Sequence, residues 1–124
     1  MDSKTLQILR RDAEDPCRSA IEASVPDAAI RRALAQLPPC QGRTVLVSIG
    51  KAGWQTAKAA YDALGSAIEQ GVVVTKYGHS QGPIGGLAIY EAGHPVPDEH
   101  SVRATEAALA AVSGLSARDR VLFL

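Results

Sequence analysis

The sequence is poor in aromatic residues, in charge of one sign and in long apolar runs, and each shortage excludes a class of protein. Aromatic residues make up 4% of the 124 residues and hydrophobic residues 46%, which favours close-packed helices on a sheet over an aromatic-rich sandwich. Thirteen basic residues balance thirteen acidic ones, so there is no basic field to attract nucleic acid or an anionic membrane. No apolar stretch approaches the roughly 20 residues that span a bilayer. The first residues carry no apolar signal segment either. We therefore expect a cytoplasmic domain with no nucleic-acid partner and no membrane partner.

Residues for a metal centre or a disulfide framework are also scarce. The two cysteines, Cys17 and Cys40, lack metal-ligand spacing and are interpreted as reduced thiols. The three histidines, His79, His94 and His100, form no compact ligand set. The sequence therefore predicts no metal-binding residues.

Residues 1–40 predict a helical preface to a sheet. Apolar residues recur at helical spacing over residues 3–24, with Ser3 as the N-cap, and Pro16 is expected to kink or break this helix. A second helix is predicted from Asp27 to Leu37, where Pro38 and Pro39 end it.

Residues 44–124 predict strands that alternate with crossover helices. Helices are predicted over residues 53–67 and 98–113, and Gly114 has the position of a helix-ending glycine. The four strand candidates are Thr44–Ile49, Gly71–Thr75, Leu87–Glu91 and Arg120–Leu124. This order predicts an α/β domain with a mainly parallel sheet of about four strands.

Two features of this arrangement are unusual. The link from Lys76 to Gly86 is too short for a crossover helix, so the third strand is either antiparallel or reached through an extended loop. The chain stops at Leu124 within an apolar strand, although the site of an open α/β sheet lies beyond the carboxyl ends of its strands. We therefore expect residues 1–124 to be one domain, incomplete at its C-terminal end.

The first candidate site is the turn that follows the first strand. Ser48 and Ile49 lead into Gly50-Lys51-Ala52-Gly53, and a helical pattern begins at once. A helix N-terminus presents unpaired N–H groups and a partial positive charge, and Lys51 adds a full charge. The turn is not a Walker A loop, because Val45 and Ala52 replace its first glycine and its serine or threonine. A plain turn with a solvated lysine is the other interpretation.

The second candidate site is the loop after the third strand. Gly93, His94 and Pro95 begin it, and Asp98 and Ser101 open the next helix. Pro95 stiffens the loop, and the loop should lie at the same sheet edge as Lys51, where His94 could bind a carboxylate or orient a hydroxyl. Alternatively, His94 is a hydrogen-bonded structural support.

A third, weaker candidate follows the second strand. Lys76, Tyr77 and His79 stand there, again at the carboxyl end of a strand. A solvated surface loop is the competing interpretation.

Taken in order, these motifs carry a family resemblance. The segments Val47–Ala52, Gly71–His79 and Glu91–Asp98, followed by Ser101, resemble the amino-terminal part of the glycerate 2-kinase family, some of whose members are labelled hydroxypyruvate reductases. The resemblance covers nearly the whole chain. It implies a Rossmann-like, three-layer α/β/α domain that faces a smaller carboxy-terminal domain across an active-site cleft.

The resemblance also implies an activity. Such enzymes transfer the γ-phosphoryl group of ATP to the 2-hydroxyl of D-glycerate with Mg²⁺ or another divalent metal, and the family's catalytic lysine corresponds to Lys51. The carboxy-terminal domain of the same chain would be the partner, and homo-oligomerisation stays open. A Ser-Gly-Gly loop, an acidic residue and an arginine expected further on are missing, so this piece is not expected to act alone.

Two other functions compete with the kinase. A nicotinamide-dependent hydroxypyruvate reductase would fit the older label, but the sequence lacks the Gly-x-Gly-x-x-Gly fingerprint. The other alternative, from a non-enzyme class, is a stand-alone module that binds anions or phosphosugars.

Overall fold

The computed structural model describes residues 2–124 and has an α/β architecture. Its helices are α1 (Ser3–Ser24), α2 (Asp27–Leu34), α3 (Gly53–Leu64) and α4 (Glu99–Ala111), and a short 3₁₀ turn, Gly65–Ala67, follows α3. Its strands are β1 (Thr44–Ile49), β2 (Ile68–Lys76), β3 (Ala88–Ala92) and β4 (Arg120–Phe123). The predicted α/β fold class is confirmed.

All four strands are parallel and lie in the order β3-β2-β1-β4. Val47 of β1 pairs with Val72 of β2 and with Phe123 of β4, and Val74 of β2 pairs with Tyr90 of β3. The direction of β3, which the sequence left open, is therefore parallel. An extended loop without a helix, residues 77–87, makes this connection.

Helices cover both faces of the sheet, as the continuous apolar run of β1 predicts. On one face Leu46 and Val73 pack against α3, together with Leu34 of α2. On the other face Val45, Val47 and Val72 pack against the alanines of α4. The three-layer α/β/α arrangement is the result, with the alternate residues of β1 dividing the core between two helix layers.

The loop 77–87 does the packing that a crossover helix would otherwise do. Ile84 is buried in the α3-side core, and the indole Nε1 of Trp54 donates a hydrogen bond of 2.7 Å to the carbonyl of Gly82. Gly85 has a φ of +51°, and a Cβ there would collide with the ring of Tyr61. These contacts explain how so short a link can be ordered.

The helical preface differs from the prediction in three details. Helix α1 continues through Pro16 as one element, so the expected break does not occur, and its N-cap is Asp2 rather than Ser3. A proline removes one N–H donor, and the remaining i to i−4 bonds suffice to continue the helix. Helix α2 ends at Leu34, three residues before the predicted end, and no residue of α1 is buried. Met1, the first residue of the predicted preface, lies outside the described residues.

Within residues 2–124, no helix has the length and hydropathy needed to cross a membrane.

Candidate functional site

Three strands end at the same edge of the sheet and bring the three predicted motifs together. The amide of Gly50 donates to the carbonyl of Val74 over 2.9 Å and joins the end of β1 to β2. The amide of Tyr77 donates to the carbonyl of Ala92 over 3.3 Å and joins β2 to β3. The loops that leave β1, β2 and β3 therefore start side by side, as the parallel topology requires.

The turn between β1 and α3 depends on two glycines. Gly50 has a φ of +133°, a conformation that glycine adopts without strain. At Gly53, a Cβ would lie 2.8 Å from the carbonyl oxygen of Val74, so only glycine lets α3 start this close to β2. No side chain caps α3 at its N-cap residue, Ala52. The amide of Gly53 donates to the carbonyl of Gly50 over 2.9 Å, so an outside acceptor would meet the neighbouring N–H groups of the turn and first helical residues rather than this one.

The carbonyl oxygen of Lys51 is held by two side chains. The hydroxyl of Thr75 donates to it over 3.3 Å, and Nδ1 of His79 lies 3.2 Å from it. Because a carbonyl oxygen can only accept, the second contact requires a proton on Nδ1 of His79. The Lys51 side chain itself stays exposed.

The loop after β3 is fixed by the carboxylate of Asp98. This carboxylate accepts hydrogen bonds from the hydroxyl of Tyr77 (2.7 Å) and from the amide of Ser101 (3.0 Å), and it forms a capping box with Ser101 at the start of α4. The Tyr77 hydrogen bond is the main reason that the pKa of Asp98 lies well below its usual value, and the same bond raises the pKa of Tyr77. At Gly93, a Cβ would lie 2.5 Å from the carbonyl oxygen of Val96, so this tight loop needs glycine. The peptide bond between His94 and Pro95 is cis.

A cleft of about 200 Å³ lies between these loops. Its polar lining comes from Lys51, Lys76, His94 and hydroxyl side chains, and its floor from β-strand ends. The full lining is Ile49, Gly50, Lys51, Val74, Thr75, Lys76, Ala92, Gly93, His94, Ser101 and Thr105. No carboxylate belongs to this lining within residues 2–124, so the cleft has the charge of an anion site.

Six of the predicted site residues line this cleft: Gly50, Lys51, Lys76, Gly93, His94 and Ser101. Tyr77, His79 and Asp98 lie behind it and support the loops. Ala52 and Pro95 are in the two loops but not in the lining.

The placement of Ser48 differs from the prediction of a binding residue. Its side chain is fully buried and makes hydrogen bonds with the carbonyl of Gly53 (2.8 Å) and the hydroxyl of Thr56 (2.7 Å). The alternation of β1 explains this, because Ser48 shares the α3 face with Leu46. Ser48 therefore anchors the first turn of α3.

Thr105 also lines the cleft, although no motif in the sequence points to it. It lies four residues after Ser101 on α4, and its hydroxyl donates to the carbonyl of Ser101 over 2.8 Å. The i to i+4 spacing from a proposed site residue was the signal that could have identified it.

The cleft does not fit a magnesium site. Mg²⁺ prefers carboxylate and other oxygen ligands, whereas the charged lining residues here are lysines. No cluster of three or more His, Cys, Asp or Glu residues occurs in the described part of the chain. A divalent metal that accompanies ATP thus stays a prediction for the intact protein.

Comparison with known families identifies the domain. A family model described as a domain of unknown function, DUF4147, matches residues 12–124. The chain belongs to the DUF4147 family. The three motifs that suggested a resemblance all lie inside this DUF4147 domain.

Relatives of the DUF4147 domain carry two kinds of name. A D-glycerate 2-kinase from Thermotoga maritima is 50% identical over 116 residues, which are 94% of this chain and 27% of that protein. A putative hydroxypyruvate reductase from Agrobacterium vitis is 41% identical over 124 residues, which are 99% of this chain and 26% of that protein. The resemblance to the glycerate 2-kinase family is confirmed, together with its double naming.

A solved structure supports the fold of the DUF4147 domain. The crystal structure of glycerate kinase from Thermotoga maritima matches with a TM-score of 0.80 and 49% identity, over 94% of this chain and 28% of that one. This chain thus spans about a quarter of the length of the relatives that it matches.

Proposed function

We propose that the intact protein is a kinase that transfers the γ-phosphoryl group of ATP to the 2-hydroxyl of D-glycerate. The observation that carries this proposal is the cleft, which Lys51, Lys76 and His94 line beside the turn that leads into α3, with no carboxylate in the lining among residues 2–124. Relatives named glycerate 2-kinase support it. The DUF4147 domain would contribute one wall of the active site.

Lys51 would carry most of the electrostatic work. Phosphoryl transfer depends mainly on positioning and on neutralising the charge of the transferred group. A lysine at about 4 Å from an anion supplies on the order of 4 kcal/mol at an effective dielectric constant of about 20, before desolvation costs. A helix N-terminus supplies only about 0.3–1 kcal/mol at an exposed site. The exposed Lys51 side chain is free to reach the phosphoryl group, while Lys76 and His94 would bind the carboxylate and hydroxyls of the acid.

The second wall would come from the part of the intact protein that the relatives carry beyond the matched region. Next to the cleft lies an apolar groove between α4 and β4, formed by Val47, Ile49, Thr105, Ala108, Leu109, Val112, Val121 and Phe123. Ile49 and Thr105 belong to both the groove and the cleft. Phe123 is 70% exposed and Leu109 62%. Such exposed apolar surface favours a covering element, and we propose that the same intact chain supplies it.

The activity is tested by replacing the catalytic lysine in the intact protein. Lys51→Ala should lower the rate of 2-phosphoglycerate formation from ATP and D-glycerate by about 100-fold or more, because one preorganised electrostatic group is lost. Phosphorus NMR identifies the product. The matched control is Lys58→Ala on α3, where Lys58 pairs with Asp62 at the surface and should not affect the rate. A wild-type protein that makes no phosphoglycerate would refute the kinase.

The name of the Agrobacterium vitis relative keeps a reductase as the second candidate. Oxidation of a reduced nicotinamide by the intact protein with hydroxypyruvate would support that activity. The missing dinucleotide fingerprint argues against it. Cytoplasmic location and homo-oligomerisation stay predictions.

A further inference from the structure

We propose that His79, together with Thr75, positions the Lys51 turn for anion binding by holding the carbonyl oxygen of Lys51. The inference rests on the proposed function for the anion that this turn would bind, whereas the positioning of the turn rests on the hydrogen bonds alone. Both residues act through the backbone of Lys51, which makes them positioning residues rather than catalytic ones.

The two contacts approach the carbonyl oxygen from the end of β2 and the loop beyond it. Thr75 is only 3% exposed, and its hydroxyl lies 3.3 Å from the oxygen. His79 is placed by a tight turn in which its own amide donates to the carbonyl of Lys76 over 3.0 Å. Gly78 inside this turn has a φ of +74°. The ring of His79 then brings Nδ1 to 3.2 Å from the Lys51 oxygen.

The orientation of the Lys51 carbonyl determines the geometry of the peptide units on either side of it. The peptide unit is planar, so fixing the C=O of Lys51 also fixes the direction of the Ala52 N–H. On the other side stands Gly50, whose backbone has the widest conformational freedom. Ser48 anchors the first turn of helix α3, and the amide of Gly53 donates to the carbonyl of Gly50 over 2.9 Å. The peptide unit between Lys51 and Ala52 is held instead by the two hydrogen bonds to the Lys51 carbonyl.

The loop that carries His79 is anchored by contacts that do not involve Lys51. Ser80 donates its amide to the Glu91 carboxylate over 2.9 Å, and Trp54 binds the carbonyl of Gly82. Ile84 is buried at 2% exposure. His79 is therefore presented from a fixed loop, and the loop has a function beyond linking two parallel strands.

The test uses the isotopically labelled 124-residue chain with inorganic phosphate as the probe. His79→Ala and Thr75→Val should each shift the carbonyl carbon resonance of Lys51. Each should also weaken phosphate binding, measured from the amide resonances of residues 50–53, by about threefold to tenfold, the effect expected for one lost hydrogen bond. The conservative variants His79→Asn and Thr75→Ser retain a donor and should bind within about twofold of the wild type.

A structural control separates positioning from overall stability. Asp119→Asn removes hydrogen bonds at the opposite edge of the sheet and should lower the urea midpoint, yet leave the Lys51 resonance and phosphate affinity unchanged. The proposal is overturned if His79→Ala leaves the Lys51 carbonyl resonance unshifted, if His79→Asn behaves like His79→Ala, or if Asp119→Asn weakens phosphate binding equally. A wild-type chain that binds no phosphate would count against the proposed function, and the Lys51 resonance would still decide the positioning.

Discussion

At the scale of single residues, two carboxylates accept hydrogen bonds next to the starts of helices and strands. Asp98 holds the loop after β3 through Tyr77 and Ser101. Asp119 accepts from the amides of Ser116 and Arg43, both over 2.7 Å, and so joins the start of β4 to the start of β1. Backbone N–H groups favour the ionised form of a carboxylate, and the pKa of Asp119 falls from 3.8 to about 2. Both carboxylates therefore favour the fold only while they are ionised.

This pKa shift predicts acid sensitivity that depends on Asp119. Its contribution to stability is fully present above its ordinary pKa of 3.8 and is lost as the pH falls through about 2, because the unfolded chain then binds more protons than the native one. At about pH 5.5, Asp119→Asn should unfold at a lower urea concentration than the wild type. Between about pH 5.5 and about pH 2.5, the urea midpoint of Asp119→Asn should fall less than that of the wild type. The control Asp62→Asn alters an exposed residue of α3 and should keep the wild-type pH dependence. Equal acid dependence in wild type and Asp119→Asn would contradict the prediction.

At the scale of elements, the sequence correctly predicted those features that depend on the local pattern of residues. The apolar β1, the glycine turn after it and the start of α3 at Gly53 have the predicted bounds. The parallel direction of β3 could not be predicted from the sequence. It depends on the packing of Trp54, Tyr61 and Ile84 around a loop that contains no helix. The burial of Ser48 was missed for a similar reason, since its partner Thr56 lies in the next helix. Sequence pattern identifies the elements, whereas contacts between elements decide pairing and which polar side chains are free.

The loop after β3 offers a sharp test of how tightly an element end must pack. Gly93→Ala should lower the free energy of unfolding by about 1–3 kcal/mol, because the new Cβ would lie 2.5 Å from a backbone oxygen that cannot move independently. It should also weaken phosphate binding, since His94 follows directly. The matched control is Gly86→Ala, where a Cβ meets nothing within 4 Å, and its effect should stay within about 0.5 kcal/mol. Urea unfolding measures both variants, and equal stabilities would mean that this loop adapts.

At the scale of the whole molecule, the chain joins a well-buried core to two uncovered apolar surfaces. Leu46 and Val73 are completely buried, whereas α1 has no buried residue and the α4–β4 groove includes the exposed Leu109. The matched relatives are about four times as long as this chain. Because the groove shares Ile49 and Thr105 with the cleft, whatever covers the groove also shapes the cleft. Under the proposed function, packing of the groove and catalysis would then be coupled in the intact protein.

That coupling can be measured by truncating one leucine in two forms of the protein. In the 124-residue chain Leu109 is 62% exposed, so Leu109→Ala should change the stability of the sheet by less than about 0.5 kcal/mol. In the intact protein the proposed covering would bury Leu109, and the same variant should cost about 2 kcal/mol or more. Leu46→Ala is the control, since Leu46 is buried within this chain and should cost about 2–5 kcal/mol in both forms. Native-state hydrogen exchange of the β1 amides reports unfolding of the sheet in each form. If Leu109→Ala remains neutral in the intact protein while Leu46→Ala is costly, the groove is open there and the second wall of the cleft lies elsewhere.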